Sequence, residues 1–190
     1  THWFKSDASQ VEYRFLAHFA VGKGAKEIRE RYRNDPTTDY HDSTKYLIHK
    51  QTGILLERKP TKGINFGIVF GMGVAKLIAT LGLDKKAGME LMKAYHSGVP
   101  FVKETFDYFS NMAKERGYIT TILGRRSRFL HWEEARGDGT TYPSYGEAIK
   151  MLGGNVQRAG THKALNNVVQ GSGTGDFIKA VLVKTYEAGI

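Results

Sequence analysis

Cysteine is absent from this 190-residue chain. Disulfides, thiol nucleophiles and cysteine-built zinc sites are thereby excluded. Proline is scarce, with four in all, so few helices need break for want of an N–H. No apolar run approaches the ~20 residues that a bilayer-spanning helix needs. The opening THWFKSDASQ is polar and holds an acid, unlike a secretory leader. These absences predict a cytoplasmic protein with no membrane partner. Acid is also in the minority: 19 Asp and Glu stand against 28 Lys and Arg, a net charge of +9. Such a balance calls for a polyanionic partner, nucleic acid before membrane, since no basic amphipathic segment adjoins an apolar anchor. No internal repeat or low-complexity tract is present. The chain starts at Thr1 rather than methionine, within a predicted strand, and is expected to be a piece of something larger.

The stretch Arg58–Gly73, RKPTKGINFGIVFGMG, carries the densest chemistry. Arg58, Lys62, Phe66 and Phe70 recur at i, i+4 spacing, which keeps them near one side of a helix. Pro60 suits the first helical turn, so the helix should begin near Arg58–Pro60 and end at Gly71 or Gly73. Two cations beside a positive helix end make a seat for a polyphosphate. The two rings beyond them offer flat surfaces to a sugar or base.

Around this stretch the pattern is mostly helical. Trp3 and Phe4 predict a short buried strand ending near Ser6, and Val11, Phe15, Leu16 and Phe19 a helix after it. Asp7 falls between them, as a helix cap or as a metal-binding or catalytic acid. Further helices are predicted over Ala25–Arg33, Ser43–Leu56, Val74–Leu81, Lys85–Tyr95 and Pro100–Arg116. His41-Asp42, just before the second of these, reads as a surface histidine and a capping aspartate. The 74–92 pair has the look of a helix-turn-helix. Tyr118–Phe129 alternates like a hairpin turning at Gly124, with Arg125, Arg126 and Arg128 clustered for phosphate contact. Trp132–Tyr142 reads as an exposed loop. Helices are expected again over Ser144–Leu152, Gln157–Gln170 and Asp176–Ala188. On the second of these three, His162, Asn166 and Gln170 form a polar line able to hydrogen-bond bases or sugars. The intervening GSGTG fits neither a P-loop nor a dinucleotide fingerprint.

Four of these stretches, in this order, resemble the family A DNA polymerases, the bacterial polymerase I type and its phage relatives. Asp7-Ala8-Ser9-Gln10-Val11-Glu12-Tyr13-Arg14 is similar to that family's first palm motif, DYSQIELR. Arg58-x3-Lys62-x2-Asn65-Phe66-Gly67-x2-Phe70-Gly71 resembles the fingers-helix motif R-x3-K-x2-NFG-x2-YG. Thr121 through Arg126 resembles T-x-x-G-R-R, and Asn166-x3-Gln170-Gly171 the template–primer motif. The resemblance covers essentially the whole chain.

It implies a mainly α (α+β) fold. Residues 1–20 would be partial palm, 21–160 a helical fingers subdomain with a small β-hairpin, and 161–190 a return to an incomplete palm sheet formed by the chain ends. It implies template-directed primer extension in replication or repair by two-metal phosphoryl transfer. Asp7 and the backbone carbonyl of Ala8 would hold Mg2+. Gln10, Glu12, His41, Arg58, Lys62, Phe66 and Phe70 would contact the deoxynucleoside triphosphate, with Lys62 also protonating pyrophosphate. Arg125, Arg126, His162, Asn166 and Gln170 would touch primer–template DNA. Three positions depart from the pattern. Ala8 replaces Tyr, which leaves a backbone ligand intact. Phe70 replaces a Tyr whose hydroxyl would bond Glu12, and His162 stands for Arg. The family's second catalytic carboxylate falls beyond Ile190, so the chain alone is expected to need the remaining palm and thumb, in the same chain or as a second fragment, and to be inactive without them. The rival reading is a non-catalytic DNA-binding module using the 74–92 helices; another is a scaffold that has lost activity.

Overall fold

The computed structural model describes residues 7–189. The strand predicted at Trp3–Ser6 lies outside the described residues. Within them the mainly α expectation is borne out: ten α-helices, two small antiparallel sheets and two short irregular helical turns. No helix among the described residues is long and apolar enough to cross a membrane.

Helices α1 (Val11–Phe19), α2 (Ala25–Asn34), α3 (Tyr40–Thr52) and α4 (Arg58–Val69) build the region around the densest motifs. Helix α3 begins three residues before its predicted start. Its cap is Asp39, whose carboxylate accepts the N–H groups of His41 and Asp42. Asp42 is therefore a first-turn residue, and His41 is buried rather than on the surface. Helix α4 begins at Arg58 and ends at Val69, so Phe70 closes the helix instead of lying on it. Beyond it Gly71 takes φ +92°, where a Cβ would also press Phe106 at 3.2 Å.

Helices α5 (Val74–Leu81), α6 (Lys85–Gly98) and α7 (Pro100–Arg116) complete the bundle. Pro100 opens α7 where no N–H is needed. Gly117 closes it at φ +74°, directly under the Arg158 guanidinium. Helix α3 packs on α4 and α6, α5 on α6, and α7 on α9 (Ala164–Gln170). Leu16, Ile48, Ile64, Leu77, Leu91, Tyr95, Val102, Leu165 and Val168 are at most 1% exposed and form the shared core. Burying each aliphatic chain of this kind stabilises by roughly 1.5–3 kcal/mol.

Strands β1 (Tyr118–Thr120) and β2 (Arg126–Arg128) form the predicted hairpin, with Ile119 opposite Ser127. The next segment differs from expectation. Trp132–Tyr142 is not a loop: β3 (Trp132–Glu134) and β4 (Thr141–Tyr142) pair antiparallel. On its other edge β3 takes β5 (Val156–Arg158), which shortens the helix predicted from Gln157. Backbone pairing outweighs helix propensity here. Gly160, at φ +71°, then turns the chain into a 3-10 turn at Thr161–Lys163 before α9. Helix α8 (Tyr145–Leu152) bridges β4 and β5, with Ser144 as its cap.

Past α9 the GSGTG segment is helical, in wider π geometry over Gly171–Phe177, and leads into α10 (Ile178–Glu187). The apolar residues of α10 are not buried: Val181, Leu182 and Val183 are 42–63% exposed. Both sheets lie mid-chain, so among the described residues no sheet joins the chain ends.

Candidate nucleotide and nucleic-acid interface

The start of α1 faces the first turns of α4 across a cleft of about 600 Å³. Asp7, Ala8, Gln10, Glu12, His41, Arg58, Lys62 and Phe66 all line it. Every residue expected to meet metal or nucleotide is thus gathered there except Phe70, whose ring sits 5.8 Å behind that of Phe66. Tyr13 supports the cleft from behind. It stacks on Tyr40 at 4.7 Å and meets Phe66 edge-on at 5.3 Å.

Each polar residue of the cleft is held differently. Gln10 has a left-handed backbone, φ 51°. Its amide donates to the Thr38 carbonyl at 3.2 Å and accepts from the Tyr32 hydroxyl and the Tyr40 N–H. The side chain expected to touch nucleotide is therefore committed to tying α1 to α2 and α3. Arg58 donates to Asp39 and lies 3.6 Å from Asp42. Asp39 is pulled two ways: burial raises its carboxyl, but hydrogen bonds from Arg58 and from the N–H groups of Asp42 and His41 outweigh burial and hold it below the usual carboxylate range. Lys62 is exposed and makes no ion pair among the described residues, with its Nζ 6.0 Å from the Phe66 ring centre.

His41 is set by a residue that the sequence reading left without a role. Asn65 is fully buried. Its Nδ2 donates both to His41 Nδ1 at 2.9 Å and to Thr44 Oγ1 at 2.6 Å. With Nδ1 accepting, the proton of the neutral ring belongs on Nε2. Burial lowers the imidazole's pKa; Arg58 and Lys62 reinforce this and Asp39 opposes it. At neutral pH His41 is consequently an N–H donor, not a third cation.

A second groove, about 330 Å³, is lined by Arg125, Ser127, Asn166, Asn167, Gln170 and Thr174. Thr174 also lines the first cleft, so the two adjoin. Sequence reasoning missed Thr174, which sits in the glycine-rich segment that had matched no motif. The three hairpin arginines have separate fates. Arg125 is clamped, with Nε 3.0 Å from Asp176 Oδ1 and Nη2 2.9 Å from the Gly171 carbonyl. Arg126 lies over the Tyr118 ring at 4.8 Å. Arg128 is exposed without a carboxylate partner among the described residues. Asn166 keeps a buried Oδ1 with no protein partner. His162 is not on this groove. It precedes α9 in the 3-10 turn and lines a separate cleft, so the expected polar line of three does not lie on one helix.

No group of three or more His, Asp or Glu among the described residues is gathered as a metal cage. Asp7 and the neighbouring Ala8 carbonyl still offer hard oxygen donors on the cleft wall. Such a set suits Mg2+, which keeps most of its waters and binds through one or two carboxylates plus substrate phosphates.

The chain matches known proteins along its whole length. The sequence pattern of DNA polymerase family A matches residues 1–189, and the chain belongs to that family. A DNA-directed DNA polymerase of Pseudomonas phage M6 is 30% identical to it, covering all of this chain and 31% of that protein. DNA polymerase I of Geobacillus stearothermophilus is also 30% identical, over 95% of this chain and 18% of its own length. The chain therefore spans a third or less of these relatives. Among solved structures, the POL domain of Pol1 from M. smegmatis, in complex with DNA primer-template and dNTP, has the same fold. Its TM-score is 0.68 at 21% identity, over 96% of this chain and 29% of that one.

Proposed function

We propose that this chain is the nucleotide-delivering part of a DNA-directed DNA polymerase. In this reading residues 21–160 are the fingers, and the segments before and after them belong to the palm. The observation that carries the reading is the single cleft in which the first motif, Asp7–Glu12, meets the cationic and aromatic side of α4.

The chemistry required is positioning and charge neutralisation around a transferring phosphoryl group. Lys62 meets the triphosphate as an unpaired cation and donates a proton to the departing pyrophosphate. Arg58 swings from its contacts with Asp39 and Asp42 to the same phosphates, and His41 adds a neutral Nε2–H. Phe66 packs against the deoxyribose, with Phe70 next to it toward the template. Glu12 lies under the sugar. Phe70 has no hydroxyl to hold it, so it screens a 2′-hydroxyl by its bulk and charge alone. Asp7 and the Ala8 carbonyl would hold Mg2+, which when bound polarises the α-phosphate and neutralises the developing charge. Asn166 and Gln170 in the adjoining groove, with Arg126 from the neighbouring strand, receive the primer–template by backbone and shape, because a polymerase must accept every base pair.

The decisive substitution is Lys62→Ala in the complete polymerase. Removing one preorganised donor to the phosphoryl group should lower the single-turnover rate of primer extension by about 10²-fold. Unchanged rate and unchanged nucleotide affinity would reject the assignment of α4.

A further inference from the structure

The aromatic side chains behind the α1–α4 cleft form a connected set, with Tyr13 at its centre. Tyr13 follows Glu12 directly on α1, lines the cleft and is buried. Its ring stacks on Tyr40 at 4.7 Å, and meets the His41 imidazole edge-on at 4.6 Å and Phe66 edge-on at 5.3 Å. Tyr40 and His41 belong to α3, and Phe66 to α4. Tyr40 is itself fixed: it is buried, and its hydroxyl lies 3.0 Å from that of the buried Tyr95 on α6. Contacts thus run from the core, through one ring, to two side chains that face the cleft. Besides the three departures described above, Tyr13 puts a ring where the motif DYSQIELR has leucine.

The Tyr13 hydroxyl does not hold this arrangement. Its oxygen is buried with no hydrogen-bond partner among the described residues, which costs stability. The ring does the holding, through stacked and edge-to-face contacts. Phe66 is boxed in by it: His41 stacks on Phe66 at 6.3 Å, Phe70 leans on it at 5.8 Å, and Tyr13 supplies the wall toward α1. Without the Tyr13 ring, Phe66 and His41 lose the same wall, next to Glu12. Phe70 carries no hydroxyl that could hold Glu12, so where a sugar rests over Glu12 depends on where Phe66 stands. A shift of about 1 Å at such a contact is enough to spoil the fit of a bound nucleotide.

We propose that Tyr13 is a positioning residue for sugar selection: its ring fixes Phe66, and Phe66 presses the nucleotide's sugar onto Glu12, where a 2′-hydroxyl does not fit. The inference rests on the polymerase reading of this cleft and deepens it. Preference for deoxyribose over ribose is then set by the aromatic support of α1 and α3 together with Glu12, and not by Glu12 alone.

The test measures single-nucleotide primer extension by the complete polymerase, with a deoxynucleoside triphosphate and with the matching ribonucleotide. Parent, Tyr13→Leu and Tyr13→Phe are compared, with kcat and KM determined separately and thermal unfolding followed for each. Tyr13→Leu should lower the deoxy-over-ribo ratio of kcat/KM about tenfold, chiefly through a lower KM for the ribonucleotide. Tyr13→Phe keeps the ring and should restore the parent's ratio. It should also unfold at the same or a higher temperature, since an unpaired buried hydroxyl is gone. Should Tyr13→Leu not fold, Tyr13→Met, longer and without a ring, replaces it under the same expectations. Equal losses for both nucleotides at an unchanged ratio would make Tyr13 a packing residue only and overturn the inference. A ratio that fell as far in Tyr13→Phe as in Tyr13→Leu would also overturn it, by moving the role to the hydroxyl. If Lys62→Ala left deoxynucleotide extension unchanged, the polymerase reading of the cleft would fall first; with that reading standing, the sugar ratio judges Tyr13 alone.

Discussion

The cleft between α1 and α4 and the groove beside the hairpin both use arginine, and they secure it in opposite ways. Arg58 is tied to Asp39 and Asp42, whose side chains are 20% and 60% exposed. If it leaves them for a phosphate, Asp42 is open to water and Asp39 keeps the N–H groups of His41 and Asp42, so the cost is moderate. Arg125 is tied to Asp176, whose side chain is 7% exposed. Taking Arg125 away would strand a carboxylate in the interior, which is costly. The first arginine is therefore available to a ligand. The second locks the hairpin onto the π-helical segment, with the Ile122 N–H donating to Ser172 Oγ at 3.0 Å in the same seam. An arginine's use is decided by the burial of its carboxylate, not by its own exposure.

The sharpest way to break this comparison is Arg125→Ala. Hydrogen bonds to a charged group contribute about 1.5–3 kcal/mol, so urea denaturation should show a loss of about 2 kcal/mol. Arg126→Ala, one residue on, should stay within about 0.5 kcal/mol of the parent while weakening DNA binding. Equal stability losses for the two would refute the distinction. Acid should have a related effect. Burial raises the Asp176 carboxyl, but hydrogen bonds, including those from Arg125 and the Leu123 N–H, more than offset it and leave its pKa below the usual value. A lowered carboxylate stabilises fully above its unfolded pKa of about 3.9 and loses that contribution as pH falls through the folded value. Asp176→Asn should therefore blunt the loss of stability below about pH 4.

Asn65→Ala should come next in size. It removes two donors from the buried His41–Thr44 pair, at about 1.5 kcal/mol. It also frees the His41 ring to rotate, so nucleotide affinity should fall along with stability. A variant that lost stability but kept full nucleotide affinity would show that His41 does not need its fixed tautomer.

What could be read in the sequence follows from what each feature depends on. The helices declared themselves because their signals are local: the apolar period of α7, its proline and its closing glycine lie within one stretch. The α4 side was legible for the same reason, through i, i+4 spacing. The β3–β4–β5 sheet was not, because its strands are only two or three residues long. Trp132 pairs with Tyr142 on one side and with Arg158 on the other, partners that only the folded chain brings near. Asp39 was passed over for Asp42 because capping depends on where the helix starts, and that boundary is soft. The division of labour among Arg125, Arg126 and Arg128 was invisible, since it depends on Asp176, about fifty residues away. The exposed apolar side of α10 looks identical in sequence to a buried one.

The smallest effect concerns His41, and it tests whether the α1–α4 cleft differs from the hairpin in kind of donor as well as in tethering. His41 has a lowered pKa in the fold, set first by burial. As pH falls through about 6.5, the unfolded chain takes up a proton on this ring before the folded chain does. Stability is full above that point and declines as pH falls toward the folded value. His96 is lowered too, by burial and then by Lys103, so a His41→Asn variant should retain part of the slope. Thermal unfolding between pH 7.5 and 5.5 should thus be less pH-dependent in His41→Asn than in the parent, and nucleotide binding by the parent should not strengthen as pH falls through that range. A parent whose stability and nucleotide affinity both rose on acidification would mean that His41 enters the cleft as a cation. The contrast between the neutral, fixed His41 in the cleft and the exposed Arg128 on the hairpin would then be lost.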